Sequence, residues 1–232
     1  GIIDTGIDYR HEVFLHADGS SRIVSIWDQT IQEGNPPEGF NYGTEYLNSD
    51  INTALNTQDP LSIVPTTDSN GHGTYLAGTA AGNTIESENF TGVAPSSELV
   101  VVKLKPAKAY LKEFFRIPQD ATAFQENDIM LGVAYLLQVA QELQRPMSIC
   151  IGVGTSQGGH DELGILSSYL TSVASFDSIA ISVAAGNEGN QGHHYFGIVD
   201  NNIEYDTVEL RVGPDEYGFS MELWGNAPNT FS

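Results

Sequence analysis

Leu99-Val100-Val101-Val102-Lys103-Leu104 decides the fold. Its apolar side chains stand at consecutive rather than alternate positions, which suits a strand covered on both faces, as in a parallel sheet. Ser148 to Val153 and Ser178 to Ala184 read the same way, and Gly1 to Ile3 is a shorter apolar run ending in Asp4-Thr5-Gly6. Between the runs lie helical patterns. Ile129, Val133, Leu136, Leu137, Ala140 and Leu143 follow the acidic Glu126 and Asp128, and Ile165, Leu166, Tyr169, Leu170 and Val173 form a second set. Strand and helix alternating at this spacing define an α/β fold, a doubly wound, mostly parallel sheet with helices on both faces. Because the run at Gly1 has no visible beginning, the sheet is expected to be incomplete at both ends. Ligands of such sheets sit at the carboxyl ends of the strands, where Asp4 and Asn187 both fall.

The character changes after Asn190. Val208, Leu210 and Val212 alternate with polar residues, a turn is expected over Pro214 to Gly218, and Phe219, Met221 and Leu223 alternate again. The expected division is therefore 1–190 for the α/β domain and 191–232 for the beginning of an antiparallel β domain inserted in it. From Arg10 to Asp68 the chain is rich in Asn, Gly, Pro and acids, with one expected strand, Arg22 to Trp27.

Composition narrows the function. Thirty acidic residues face nine basic ones, a net charge of −21, which repels nucleic-acid phosphates and anionic lipid, so neither nucleic acid nor membrane is an expected partner. No run approaches the roughly 20 apolar residues that cross a bilayer. Cys150, the single cysteine, lies in an apolar run and reads as a buried strand residue.

Three segments carry chemistry. Ile3-Asp4-Thr5-Gly6 sets a carboxylate where a strand becomes a loop. Asn70-Gly71-His72-Gly73-Thr74 places a histidine between glycines at the start of an Ala-rich helical stretch, so the imidazole projects from a helix N-terminus. Ser182-Val183-Ala184-Ala185-Gly186-Asn187 ends a strand in small residues and then an amide that can donate to an oxyanion.

In this order the three segments resemble the subtilisin-like serine proteases. The resemblance implies that Asp4 orients the imidazole, His72 serves as general base and acid, and Asn187 contributes to the oxyanion hole, with a protein or peptide as substrate. It departs from the family at Tyr75, where a second histidine is usual, and in the nucleophile: no Gly-Thr-Ser-Met-Ala-like segment follows Asn187. The catalytic serine is thus expected outside these residues, and the fragment alone is expected to be inactive. Gly154-Thr155-Ser156 looks like the missing motif but precedes Asn187; Gly152, Gly154 and Thr155 instead resemble the strand and loop along which substrate lies.

The stretch Gly154 to Asp161, with a β insertion after the oxyanion Asn, resembles the clostridial Csp germination proteases, whose relatives carry a jelly-roll insertion there. That implies limited proteolysis of a spore cortex hydrolase precursor and an extracellular or spore-associated location. The family resemblance also raises calcium as a ligand, with Asp50, Asp59 and Asp68 as loop carboxylates that either hold it or, as is commoner in so acidic a chain, are simply solvated, and a propeptide as a partner. Lys103 to Arg116, with five of the nine cations plus Tyr110, Phe114 and Phe115, is expected either to edge the cleft, to meet that propeptide, or to be a solvated loop. His193 and His194, as neighbours in an extended segment, point to opposite faces and do not read as a joint metal site. Two other functions remain: an inactive pseudoprotease on the same fold, and a retroviral-type aspartic protease, for which Asp4-Thr5-Gly6 is the only support.

Overall fold

A computed structural model describes residues 1–198, 205, 207–215 and 218–225. In chain order the regular elements are β1 (Ile2–Asp4), β2 (Ile23–Asp28), β3 (Thr44–Leu47), α1 (Asn48–Leu55), α2 (His72–Ala81), β4 (Leu99–Lys103), α3 (Ala109–Phe114), α4 (Glu126–Leu143), β5 (Met147–Ile151), α5 (Ile165–Ala174) and β6 (Ile179–Val183). The strands form one sheet in the order β3-β2-β4-β1-β5-β6. Only β2 and β3 pair antiparallel; every other neighbouring pair is parallel.

Alternate residues of each central strand enter two cores. Ile2, Ile26, Leu99 and Val101 pack on one face against Ile51 and Ala54 of α1 and Ala77 and Ala81 of α2. Ile3, Trp27, Val100 and Val102 pack on the other against Ile129, Val133, Leu136 and Val139 of α4. This two-sided burial is why β1, β4 and β5 read as unbroken apolar runs; β6, whose sequence reads the same way, is an edge strand with Ala180, Ser182 and Val183 exposed. It also excludes the aspartic-protease reading, which needs an all-β chain.

Three elements lie where the sequence reading placed loops. β3 and α1 fall within 10–68. β3 is a four-residue antiparallel edge, and α1 is held by the burial of Ile51 and Ala54 and by Asp50, whose carboxylate accepts from the Leu47 N–H at 2.9 Å. α3 occupies the basic segment, where Tyr110 and Phe114 are exposed while Lys112 is buried and donates to the Gln119 and Ala121 carbonyls. From 191 onward, the described residues contain no helix or strand, and Val208, Leu210, Val212, Phe219, Met221 and Leu223 are exposed. Part of the expected turn, 216–217, and residues 226–232 lie outside the described residues. No helix among the described residues is long and apolar enough to cross a membrane.

Leu136 is fully buried beneath the sheet. Leu136→Ala should cost about 2–5 kcal/mol of stability, read as a lower urea midpoint with an unchanged slope in the full-length protein.

Candidate active site

The register brings Asp4 and Asp28 level with Lys103, one on either side, at the carboxyl edge of the sheet. β1 lies between β4 and β5, where the chain passes from one half of the sheet to the other, so Asp4 stands at the switch point. Its carboxylate is wholly buried, and Oδ1 accepts two hydrogen bonds: from the Thr5 N–H at 2.7 Å and from Nδ1 of His72 at 2.8 Å. The His72 side chain is half-exposed, at 51%. With Nδ1 fixed on a carboxylate, Nε2 is the nitrogen left to take or give a proton, the division of labour a general base requires.

Gly152 and Gly73, beside this pair, are there because of crowding. A Cβ on Gly152 would overlap Oδ2 of Asp4 and stand 2.6 Å from Leu76, and a Cβ on Gly73 would overlap the Gly6 carbonyl oxygen and lie 3.1 Å from the Asp4 Cβ. Gly152 also donates its N–H to the Ile3 carbonyl at 3.1 Å, so that group is committed to β1. What demands glycine at 152 is therefore the buried carboxylate behind it. Gly154 and Thr155 are exposed in the loop after β5.

His72 opens α2. Gly71, its N-cap, has φ 83°, a left-handed conformation that favours glycine, and supplies no capping side chain. The first N–H groups of the helix are satisfied from a distance: Thr5 Oγ1 accepts from Gly73 N at 2.9 Å, and Asp68 Oδ2 accepts from Thr74 N at 2.9 Å. Asp68 also accepts from Thr74 Oγ1 at 2.7 Å, Thr5 Oγ1 at 2.9 Å and Gly71 N at 3.0 Å. Burial alone would raise its pKa, but these bonds from Thr74, Thr5 and Gly71 outweigh it and hold the carboxyl below its ordinary value. In sequence Asp68 is one acid of a long loop and does not declare this role. The available signal was its spacing, four residues before the histidine and six before Thr74.

Asn187 follows β6, two strands from β1 on the same edge of the sheet, and is exposed. Ser156 is exposed after β5; its carbonyl accepts from His160 Nε2 at 3.0 Å, and no hydrogen bond joins it to His72. His193 lies 3.4 Å from Glu188, whereas His194 stacks on His160, so the two histidines face different partners. Asp50 caps α1 and Asp68 is used as described. Among the described residues no three His, Cys, Asp or Glu gather as a metal site, so the proposed calcium carboxylates do not fit one ion. Lys103 is paired with Asp28 at 3.2 Å and Lys105 with Asp128 at 2.8 Å, so neither is a free rim cation.

Comparison with known proteins agrees with this geometry. The subtilase family profile matches residues 1–208, and the chain belongs to that family. The structure of the CspB protease of Clostridium perfringens is similar with a TM-score of 0.69 at 34% identity, over 83% of this chain and 37% of that one. Subtilisin-like protease 1 and Subtilisin-like protease 2 of Pseudogymnoascus destructans are 27% identical over 176 residues and 26% identical over 168, covering 74% and 71% of this chain. The matched parts are 37% and 35% of those proteins, so the chain spans little more than a third of its relatives' length.

Gly152→Ala is expected to push the Asp4 carboxylate away from His72. A crystal structure of the variant in which Nδ1 and Oδ1 lie beyond hydrogen-bonding reach would show it, and an unmoved pair would contradict it.

Proposed function

We propose that the protein to which these residues belong is a serine endopeptidase of the subtilase type. The observation that carries the proposal is the 2.8 Å hydrogen bond from His72 to the buried Asp4 at the carboxyl end of the central strand. In this reading the nucleophile is a serine outside residues 1–232. His72 takes the serine hydroxyl proton as it attacks the scissile carbonyl and returns it to the leaving amine; Asp4 fixes the tautomer and stabilises the imidazolium. Asn187 donates its amide to the oxyanion, and Gly152, Gly154 and Thr155 border the substrate backbone. A cavity of about 400 Å³, lined by residues that include Thr5, Thr30, Asn70, Lys103, Leu104 and Phe124, offers room for a substrate side chain. The fragment alone, without the nucleophile, has no triad-dependent activity.

The finer reading is limited proteolysis of a spore cortex hydrolase precursor, at an extracellular or spore-associated location, with residues 191–232 beginning a jelly-roll-like insertion. Its support is the Gly154 to Asp161 stretch, the period-two pattern after Asn190 and the 34% identity with the CspB protease.

In the full-length protein Asp4→Asn should lower kcat about 10,000-fold and Asn187→Ala about 100- to 1,000-fold, with KM little changed. Peptidase activity that survives His72→Ala would refute the triad, and a full-length protein with no peptidase activity would point to the pseudoprotease.

A further inference from the structure

We propose that Asp68 is a positioning residue for the reaction: its carboxylate clamps the loop after β1 to the N-terminus of α2 and thereby sets the His72 imidazole against Asp4. The inference rests on the reading of Asp4 and His72 as two members of a proteolytic triad. Asp4 is rigidly placed by the sheet, but His72 is not. It begins a helix behind a glycine N-cap, and half of its side chain is in solvent. Something must fix the helix end relative to the strand end.

Asp68 does this with both oxygens. Oδ1 accepts from Thr5 Oγ1, on the residue after Asp4, and from Gly71 N, on the residue before His72. Oδ2 accepts from the main chain and the hydroxyl of Thr74, two residues after His72. The two threonines extend the clamp in opposite directions. Thr5 Oγ1 accepts from Gly73 N, and Thr74 Oγ1 accepts from Asp8 N at 2.9 Å. His72 is therefore bracketed on both sides, at 71 and at 73–74, by groups tied to residues 5 and 8 of the β1 loop. The anion also faces the positive end of the α2 dipole, which stabilises a carboxylate there. Asp68 touches neither His72 nor Asp4 through any hydrogen bond, so its effect on the reaction runs through their geometry. A displacement of about 1 Å at a reacting group costs as much as 100-fold in rate.

The test is the labelling rate of the full-length protein by an alkyl fluorophosphonate, a small reagent that reports serine activation without a known substrate. Labelling is measured per folded molecule, well below the melting transition, together with the low-field Nδ1 proton resonance of His72. Asp68→Ala and Thr5→Val should each slow labelling about 10- to 100-fold and broaden or abolish that resonance. Asp68→Asn, which keeps one accepting oxygen, should fall between. Should Asp68→Ala fail to fold, Thr5→Val decides, since it loses a single hydroxyl. If His72→Ala abolishes labelling but Asp68→Ala and Thr5→Val label at the unmodified rate, the positioning role is wrong and the triad stands. If His72→Ala labels normally, the triad itself is wrong.

Discussion

A carboxylate with no exposure to water, set at the end of the central strand of a parallel sheet, is the constraint on which the rest of the structure depends. Asp4 sits between β4 and β5 and behind Gly152, where an anion without donors would cost several kcal/mol. It is made tolerable by the Thr5 N–H and by the imidazole of His72, both on Oδ1. The imidazole is brought there from 68 residues away, so the α2 terminus, its glycines and the Asp68 clamp can be understood as means of delivering one donor to one buried oxygen. A half-exposed ring resting on a buried anion is also the arrangement a proton shuttle needs: one nitrogen fixed, the other reachable.

What the sequence disclosed and what it hid follow from the same physics. β4, β5 and α4 were legible because two-sided burial writes continuous apolar runs and one-sided helix burial writes a 3.6-residue period. β3 and α1 were not. Thr44-Glu45-Tyr46-Leu47 is too short for a period, and Asn48 to Leu55 is made largely of Asn, Ser, Asp and Thr, which favour caps and turns over helix. α1 exists because Ile51 and Ala54 reach the core, and such tertiary rescue leaves little mark on a local window.

In the site, the motif residues were visible but the reasons for some of them were not. Glycine at 152 reads as room for a substrate strand; the structure supplies a second reason for it, since the Asp4 carboxylate and Leu76 stand where a side chain would be. Asp68 reads as one of several loop acids: its spacing from His72 and Thr74 is the one mark it carries, and that spacing does not show that its oxygens will meet four donors. Those donors, on Thr5, Gly71 and Thr74, lie on either side of it in sequence, and only the fold brings them to one point.

The same acidic chain places several of its few cations inside the structure. Lys103 answers Asp28, which also accepts from Thr66 Oγ1 and from Thr30 N, and Lys105 answers Asp128 while lying 3.5 Å over the Tyr42 ring. Tyr42 in turn donates to Asp128, and burial together with that anion raises the phenol's pKa. Arg22 binds the Val13, Ala81 and Ser97 carbonyls, joining three connections on one side of the sheet. Breaking a buried pair leaves an uncompensated charge worth about 3–5 kcal/mol, far more than a surface pair contributes. Lys103 ends β4 level with Asp4 and lines the cavity, and Lys105 follows two residues on. Of the readings open for the basic segment, a solvated loop does not hold for these two lysines, which are paired with Asp28 and Asp128.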